Sequence, residues 1–170
     1  MRNEPLLGKY RGVVANNADP LRLGRLQAVV PDVTGVQPTT WAMPCMPFAG
    51  SGLGMFAVPP VGSGVWIEFE QGDPDYPIWV GCYWGDASEL PALAQNITPP
   101  VSGAALQSLA GNGLVISDLP GPDDGVLLTH VSGATICLSA TGITIRNGQG
   151  ASIELNGNVV AINGEALVIV

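Results

Sequence analysis

The single histidine of the chain, His130, is the residue with the most obvious potential for metal binding or catalysis. One histidine cannot form a His-based metal site within one chain, and the three cysteines lack the spacing that would complete one. An oligomer with three-fold symmetry could gather three copies of His130 around its axis to hold an ion. A surface or hydrogen-bonded histidine in a strand is the commoner case, so we predict neither a metal nor a cofactor.

Four carboxylates, Glu68, Glu70, Asp73 and Asp75, lie close together in the sequence. Glycoside cleavage would need two acids facing each other across a cleft. Glu68 and Glu70 share the outer face of one predicted strand, while Asp73 and Asp75 belong to a proline-containing turn, where aspartate commonly stabilises the backbone. No Gly-x-Ser-x-Gly nucleophile elbow accompanies His130. We therefore predict no enzyme, unless the structure forms a cleft around Glu70, Asp73 and Asp75.

The aromatic residues could in principle stack on nucleic-acid bases. The candidates are Trp41, Trp66, Trp79, Trp84, Tyr76 and Phe69. The chain carries a net charge of -8, whereas binding along a phosphate backbone requires clustered Lys and Arg. We predict that these rings serve the protein core and subunit contacts, and that nucleic acid is not a partner.

Charged residues make up only 12% of the composition, while hydrophobic residues make up 46%. A small soluble monomer usually has about a quarter of its residues charged, so we expect much of the surface to be buried against other copies or partners. Cys45, Cys82 and Cys137 form no CxxC pair and are predicted to be buried free thiols. The first residues lack the apolar core of a signal peptide, which favours a cytoplasmic product.

The clearest structural pattern is a series of short aliphatic alternations separated by Gly, Asn and Ser. The spacing from Ile136 to Ile145, Ile153, Val160 and Leu167 is nine, eight, seven and seven positions. This spacing is too short for an intervening helix and predicts very short strands that turn directly into the next. Each strand offers about two inward aliphatic side chains, too few to fill a core alone, so several chains are expected to share one interior.

The alternation also predicts which side chains face that interior. The predicted interior residues are Ile136, Leu138, Ile143, Ile145, Ile153, Leu155, Val160 and Ile162. The intervening residues Thr135, Thr144, Arg146, Ser152 and Glu154 are predicted to face outward. A one-residue slip in register would exchange the two faces, and the sequence does not fix the register.

The first part of the chain predicts a small all-β barrel. Its strand candidates are residues 9–15, 24–30, 64–70 and 77–84. In the third, Val65, Ile67 and Phe69 are predicted to face one way while Trp66, Glu68 and Glu70 face the other. The strand pattern lapses after residue 84. We therefore predict a barrel domain at 1–84, a linker or wrapping segment at 85–112, and a β-structured needle at 113–170.

Four ordered blocks of the barrel, Leu23–Asp32, Trp41–Cys45, Gly54–Phe69 and Gly72–Gly81, resemble a known family. They are similar to the OB-fold domain of phage baseplate assembly protein V and of the central spike proteins of contractile phage tails. This domain is shared with the valine-glycine repeat spike proteins of type VI secretion. The C-terminal repeats are similar to the triple-stranded β-helix that follows the OB fold in those spikes.

The resemblance implies an all-β homotrimer with an N-terminal OB-fold barrel and a C-terminal intertwined triple-stranded β-helix. It implies two further copies as partners, a separate hub protein above a collar of OB barrels, and a PAAR-type tip protein at Leu167, Val168, Ile169 and Val170. The machine would be assembled in the cytoplasm, would be extracellular or ejected on firing, and would contact a target membrane transiently. The alternative is a non-enzymatic OB-type binding module or an adhesin with a β-helical stalk.

Overall fold

The structure of the chain is a computed structural model, which describes residues 4–95, 97, 100–119, 125–164 and 166–169. The chain divides into two compact units, Met1–Ala87 and Ser88–Val170. Regular structure is almost entirely β in both, which confirms the predicted all-β class. In the described part of the chain, no helix has the length and apolar character needed to cross a membrane.

The N-terminal unit consists of short strands joined by long turns. Its elements are β1 Tyr10–Asn16, β2 Gln27–Val29, α1 Pro31–Thr34, β3 Met43–Pro44, β4 Ala49–Gly50, β5 Leu53–Gly54, β6 Gly64–Phe69, a 3₁₀ turn at Glu70–Gly72 and β7 Pro77–Tyr83. Strand β2 is shorter than the predicted 24–30, and the other three predicted strands agree with the structure to within one residue at each end.

Five of these strands form a sheet that closes on itself. The strand order is β2-β1-β6-β7-β3, with β3 parallel to β7 and the other neighbours antiparallel. The bridge between Leu26 and Ala42 connects the two ends of this order. The Leu26 amide donates to the Ala42 carbonyl at 3.2 Å, and the Ala42 amide donates back at 2.7 Å. The small barrel predicted from the sequence is therefore present, and it has five strands.

The barrel encloses its own hydrophobic core. The predicted inward residues Val65 and Ile67 are completely buried and Phe69 is nearly so, because alternate side chains of a strand point to the same face. The other buried hydrophobic residues of this core are Val14, Leu26, Ala28, Val30, Ala42 and Trp79. The indole of Trp79 donates a hydrogen bond of 3.0 Å to the carbonyl of Gly24, so the barrel buries this ring without an unpaired polar group.

The C-terminal unit is an antiparallel meander. Its elements are a 3₁₀ turn at Ala92–Ala94, β8 Gly103–Gln107, β9 Gly113–Ser117, β10 Gly125–Thr129, β11 Thr135–Ser139, β12 Gly142–Arg146, β13 Ser152–Asn156, β14 Val159–Ile162 and β15 Leu167–Ile169, preceded by a further turn at Ala87–Glu89. Each strand pairs with the next along the chain, giving one sheet in strict sequence order across the described residues. We expected strands of different chains to interleave, and the structure shows each strand hydrogen-bonded to its neighbours in its own chain.

From β10 to β14 the connections alternate between a tight edge and a loose edge. Strands β11 and β12 are joined by two residues between Ser139 and Gly142, and β13 and β14 by two residues between Asn156 and Val159. Gly142 has a φ of +138°, and a side chain there would collide with the Leu155 carbonyl of the next strand, so this tight turn requires glycine. At the other edge, five residues join β8 to β9, β10 to β11 and β12 to β13.

Side chains hold the five-residue loops together along their shared edge. The Asn112 side chain accepts a hydrogen bond of 2.9 Å from the Val131 amide of the following loop. The Asn147 side chain accepts from the Gln149 and Ala151 amides at 2.8 and 3.0 Å. Asparagine therefore satisfies backbone amides where the strand ladder ends.

One prediction about this region is wrong. Strand character was predicted to be absent from residues 85–112, yet β8 occupies Gly103–Gln107. The alternation of Ala104 and Leu106 is short and weakly hydrophobic, and the strand forms because it pairs with all of β9. The wrapping function predicted for 85–112 stays a prediction.

Candidate functional site: the aliphatic face of the C-terminal sheet

The register of the C-terminal sheet stacks aliphatic side chains in two parallel rows. The first row is Leu106, Leu114, Leu128, Ile136, Ile145, Ile153, Ile162 and Leu167. The second row is Ala104, Ile116, Val126, Leu138, Ile143, Leu155, Val160 and Ile169. Members of the two rows are two positions apart on each strand and lie on one side of the sheet. We call this surface the aliphatic face.

The aliphatic face contains all eight residues that the alternation predicted to point inward: Ile136, Leu138, Ile143, Ile145, Ile153, Leu155, Val160 and Ile162. Branched side chains stack well across antiparallel strands, so each pair contributes to the register as well as to the surface. Their position in a shared trimer interior stays a prediction.

Most of the aliphatic face is open to solvent in a single chain. Ile145 is 40% exposed and Leu106 is 63% exposed. The described side chains of this unit include only two buried residues, Val115 and Ser117, and both lie on the opposite side of the sheet. An apolar surface that continues across a whole sheet is typical of an interaction site rather than of a solvated face.

A hollow of about 780 Å³ lies on the aliphatic face next to the loose edge. Its floor includes Leu106, Leu114, Leu128, Ile136 and Ile145, five successive members of the first row. The aliphatic face is thus concave enough to receive another apolar surface.

The predicted interior residues begin at Ile136 and leave out the first row on the three preceding strands. Leu106, Leu114 and Leu128 extend the first row by three strands beyond Ile136. The signal was present in the alternation of Leu114 and Ile116, but the seven-residue connection between β9 and β10 interrupts the spacing of the later repeats.

The residues predicted to contact a tip protein continue the same rows. By register, Leu167 pairs with Ile162 and Ile169 pairs with Val160, so both fall on the aliphatic face. Val170 lies outside the described residues, and the side chain of Val168 is likewise not described. The tip contact stays a prediction.

The opposite side of the sheet changes character along the chain. Near its start it is covered, because Leu93 packs where Gly113 has no side chain and Ile97 packs where Gly103 has none. Farther along it is polar, and it holds all five residues predicted to face outward: Thr135, Thr144, Arg146, Ser152 and Glu154. Arg146 and Glu154 approach each other to 3.5 Å as an exposed ion pair.

His130 lies at the start of a five-residue loop and is exposed. Its Nδ1 lies 2.8 Å from the hydroxyl of Ser132 and accepts the Ser132 amide at 3.1 Å. A histidine held in this way shapes a turn. In the described part of the chain, no three His, Cys, Asp or Glu side chains are grouped closely enough to hold a metal.

The four carboxylates take separate structural positions. Glu68 pairs with Lys9 at 2.6 Å on the barrel surface, and the Asp73 carboxylate accepts the Asp75 amide at 3.0 Å within the predicted turn. A hollow of about 200 Å³ is lined by Glu70, Gln71, Asp73 and Tyr76. Its two acids, Glu70 and Asp73, are both exposed.

The aromatic residues divide between core and surface. Trp79 is buried, whereas Trp84 and Tyr76 are about 60% exposed. Trp66 lies 5.0 Å from Tyr83, and the Arg11 guanidinium lies over both rings at 5.4 and 5.1 Å. The Arg11 guanidinium therefore makes cation–π contacts with two aromatic rings of its own chain.

A cluster around Asp19 was missed in the sequence. Arg25 donates to the Asp19 carboxylate from Nε at 3.0 Å and from Nη2 at 2.6 Å, and the backbone amides of Leu21, Leu23 and Arg25 donate to it as well. The hydrogen bond from Arg25 holds the pKa of Asp19 well below its usual value of 3.8. The carboxylate therefore fixes the loop between β1 and β2.

The predicted burial of the thiols is wrong for two of the three cysteines. Cys45 and Cys82 are exposed and Cys137 is partly buried, and all three are free thiols. Their strands are hydrophobic, but Cys45 follows the end of β3 and Cys82 lies beyond an irregularity in the β6–β7 pairing, so neither side chain enters the core.

Comparison with known proteins matches each unit to a separate domain family. Residues 10–84 match the type VI secretion system/phage-baseplate injector OB domain, and residues 104–168 match the phage baseplate V C-terminal trimerisation domain. The chain belongs to the phage baseplate V and type VI secretion spike family. The second match extends over β8 to β15, the strands that build the aliphatic face.

A relative in this spike family is the type VI secretion system spike protein VgrG4b of Pseudomonas aeruginosa. It is 36% identical over 74 residues, which is 43% of this chain and 9% of VgrG4b. The chain thus spans a small fraction of the length of that relative. Membership of the spike family assigns an OB fold to the closed barrel and a trimerisation domain to the meander.

Proposed function

We propose that the chain is a structural, non-enzymatic spike of a contractile, phage-tail-like injection machine that links a hub and tube to a tip protein. The observation that carries the proposal is the aliphatic face, which runs through every strand of a sheet matched to a trimerisation domain. A single chain leaves this face exposed, so a second surface of the same kind is needed to cover it.

Three copies would cover one another by turning their aliphatic faces toward a common axis. Ile136, Ile145 and Ile153 are each about 40% exposed in one chain, so covering the remaining surface would stabilise the protein by about 0.6–1.2 kcal/mol for each side chain. The same gain recurs along both rows. The predicted interior residues would then form the core of a needle that no chain forms alone.

A needle built this way suits a mechanical function. Its strands are hydrogen-bonded within each chain, while apolar packing joins the three chains, so load is shared between two kinds of contact. The OB barrels would form a collar beneath a hub protein. A PAAR-type tip protein would sit on Leu167 to Val170, and the tip would contact a target membrane transiently after assembly in the cytoplasm.

The native mass of the purified chain, measured by light scattering, tests the proposal. A trimer would give about 52 kDa, three times the 17.5 kDa of one chain. Ile136→Asp would place like charges near the axis and is expected to leave only monomers or disordered aggregates.

The neighbouring substitution Thr135→Asp provides the matched control. Thr135 lies on the same strand, faces the opposite side and pairs with Arg146, so it should retain the trimer. A wild-type mass near 17.5 kDa would contradict the proposal and favour a binding module or adhesin. Trimers formed by Ile136→Asp would exclude the aliphatic face as the interior.

A further inference from the structure

Residues 33–67 contain no Asp, Glu, Lys, Arg or His, in a chain whose net charge is -8. This charge-free segment extends from α1 to the middle of β6. It covers part of the barrel surface as well as part of the core. A surface free of charge is the part of this acidic protein that can approach another copy without electrostatic repulsion.

The middle of the segment forms an arm made of strands β4 and β5. These two strands pair only with each other, at Ala49 with Gly54 and Gly50 with Leu53, and form a sheet separate from the barrel. The arm and its flanks expose large apolar side chains: Phe48, Leu53, Met55 and Phe56, at 57, 63, 43 and 71%. None of these four side chains belongs to the barrel core or to the partly buried residues packed against it.

A hollow of about 810 Å³ lies between the arm and the barrel. Its lining includes Leu23, Met43, Met46, Leu53 and Phe56. The long, unbranched methionine side chains adapt to the shape of a partner. Arm and hollow together offer an apolar projection next to an apolar recess on one barrel.

We propose that the arm of each OB barrel docks on the barrel of a neighbouring copy in the same trimer. The inference rests on the trimer proposed above, and the occupant is a second copy for two reasons. The match to a trimerisation domain makes two further copies available at high effective concentration. The charge-free surface also removes the repulsion that separates copies carrying -8 each.

Cys45 provides a built-in reporter, because it lines the hollow and is exposed in one chain. In the full-length chain carrying Cys82→Ser and Cys137→Ser, a maleimide would label only Cys45. If a neighbouring copy covers the hollow, labelling in the trimer should be at least about tenfold slower than in denaturant. The Ile136→Asp variant, which lacks the trimer, should label rapidly.

Leu53→Asp tests the arm itself. Leu53 is 63% exposed and lies outside the barrel core, so the barrel should stay folded and light scattering should still give a trimer. Labelling of Cys45 should accelerate about tenfold. Val36→Asp is the matched control, since Val36 is 86% exposed in the same charge-free segment but lies outside the hollow, and it should leave the rate unchanged.

A trimeric mass with fast labelling of wild-type Cys45 would overturn this inference alone and leave the hollow open for a different protein such as a hub. Slow labelling that persists in Leu53→Asp would also overturn it. A monomeric mass would contradict both this inference and the proposed function.

Discussion

The barrel and the meander both consist of short β-strands, but the barrel sheet closes on itself and the meander stays open. In the barrel, the bridge between Leu26 and Ala42 closes the sheet, so the inward-facing side chains form a core within one chain. Val65 and Ile67 in this core are fully buried. In the meander, the sheet stays open and its aliphatic face keeps about 40% exposure at Ile145. Closure therefore gives the barrel a core within one chain, whereas the open sheet leaves its aliphatic face available to other copies.

The largest effect expected from this contrast is on the barrel core. Ile67→Ala removes a fully buried side chain and should lower the free energy of unfolding of the barrel by about 2–5 kcal/mol. Val13→Ala, on the outside of the neighbouring strand β1, should cost less than about 1 kcal/mol. Denaturant titration followed by tryptophan fluorescence would measure both. Equal losses in the free energy of unfolding for the two variants would mean that the barrel has no core enclosed within one chain.

A second effect concerns dependence on protein concentration. If the meander is stable only in a trimer, tenfold dilution should lower its stability by about 2.7 kcal/mol per trimer, because two association steps each contribute a factor of ten. The barrel should not respond to dilution. Circular dichroism at several concentrations would follow the sheet while tryptophan fluorescence follows the barrel. A meander transition that does not move on dilution would contradict its dependence on other copies.

A smaller effect is expected at Asp19, which orders a barrel loop without belonging to the core. The folded protein lowers the pKa of this carboxyl below 3.8, so its contribution to stability is present above that pH and is lost as the pH falls toward the folded value. Asp19→Asn should destabilise the barrel at pH 7, by less than Ile67→Ala does. The difference from wild type should shrink below about pH 4.

The control for Asp19 is Asp75→Asn, at an exposed position on the same barrel. Thermal unfolding between pH 3 and 7 should show no comparable pH-dependent difference for that variant. A difference between Asp19→Asn and wild type that stays constant below pH 4 would rule out the carboxylate as the origin of the effect.

The smallest effect is expected at the outer ion pair of the meander. Arg146 and Glu154 are both exposed and 3.5 Å apart, so Glu154→Gln should change stability by less than about 1 kcal/mol, and added salt should reduce the difference further. Substitutions on the aliphatic face should cost far more. A large loss in Glu154→Gln would show that the polar side also lies in an interface.

Features that depend on local alternation were predictable from the sequence. The strand Gly64–Phe69 and the common face of Ile136, Ile145 and Ile153 follow from a period of two, whatever the partner strand. The OB fold could be predicted because four blocks resemble a known family. The pairing of each C-terminal strand with the next strand of its own chain could not be predicted, because tight turns within a chain and corners between chains share the same Gly and Asn signals.

Features that depend on where loops fold back were missed. The cluster of Asp19 with Arg25 requires a loop whose conformation no periodicity encodes. The exposure of Cys45 was missed because a hydrophobic neighbourhood in sequence was read as burial, whereas the arm beside it projects from the barrel. The strand at Gly103–Gln107 depends on its pairing with β9, which the weak local pattern did not indicate.

The strict sequence order of the meander has a consequence for length. Neighbouring strands lie about 4.8 Å apart, so eight strands give rows about 34 Å long, and every added or removed hairpin changes the rows by about 10 Å. Because a hairpin contains two strands, its removal preserves both the direction of the chain and the side on which each aliphatic residue lies. The reach of such a needle can therefore change in fixed steps, one hairpin at a time, without redesign of the rest.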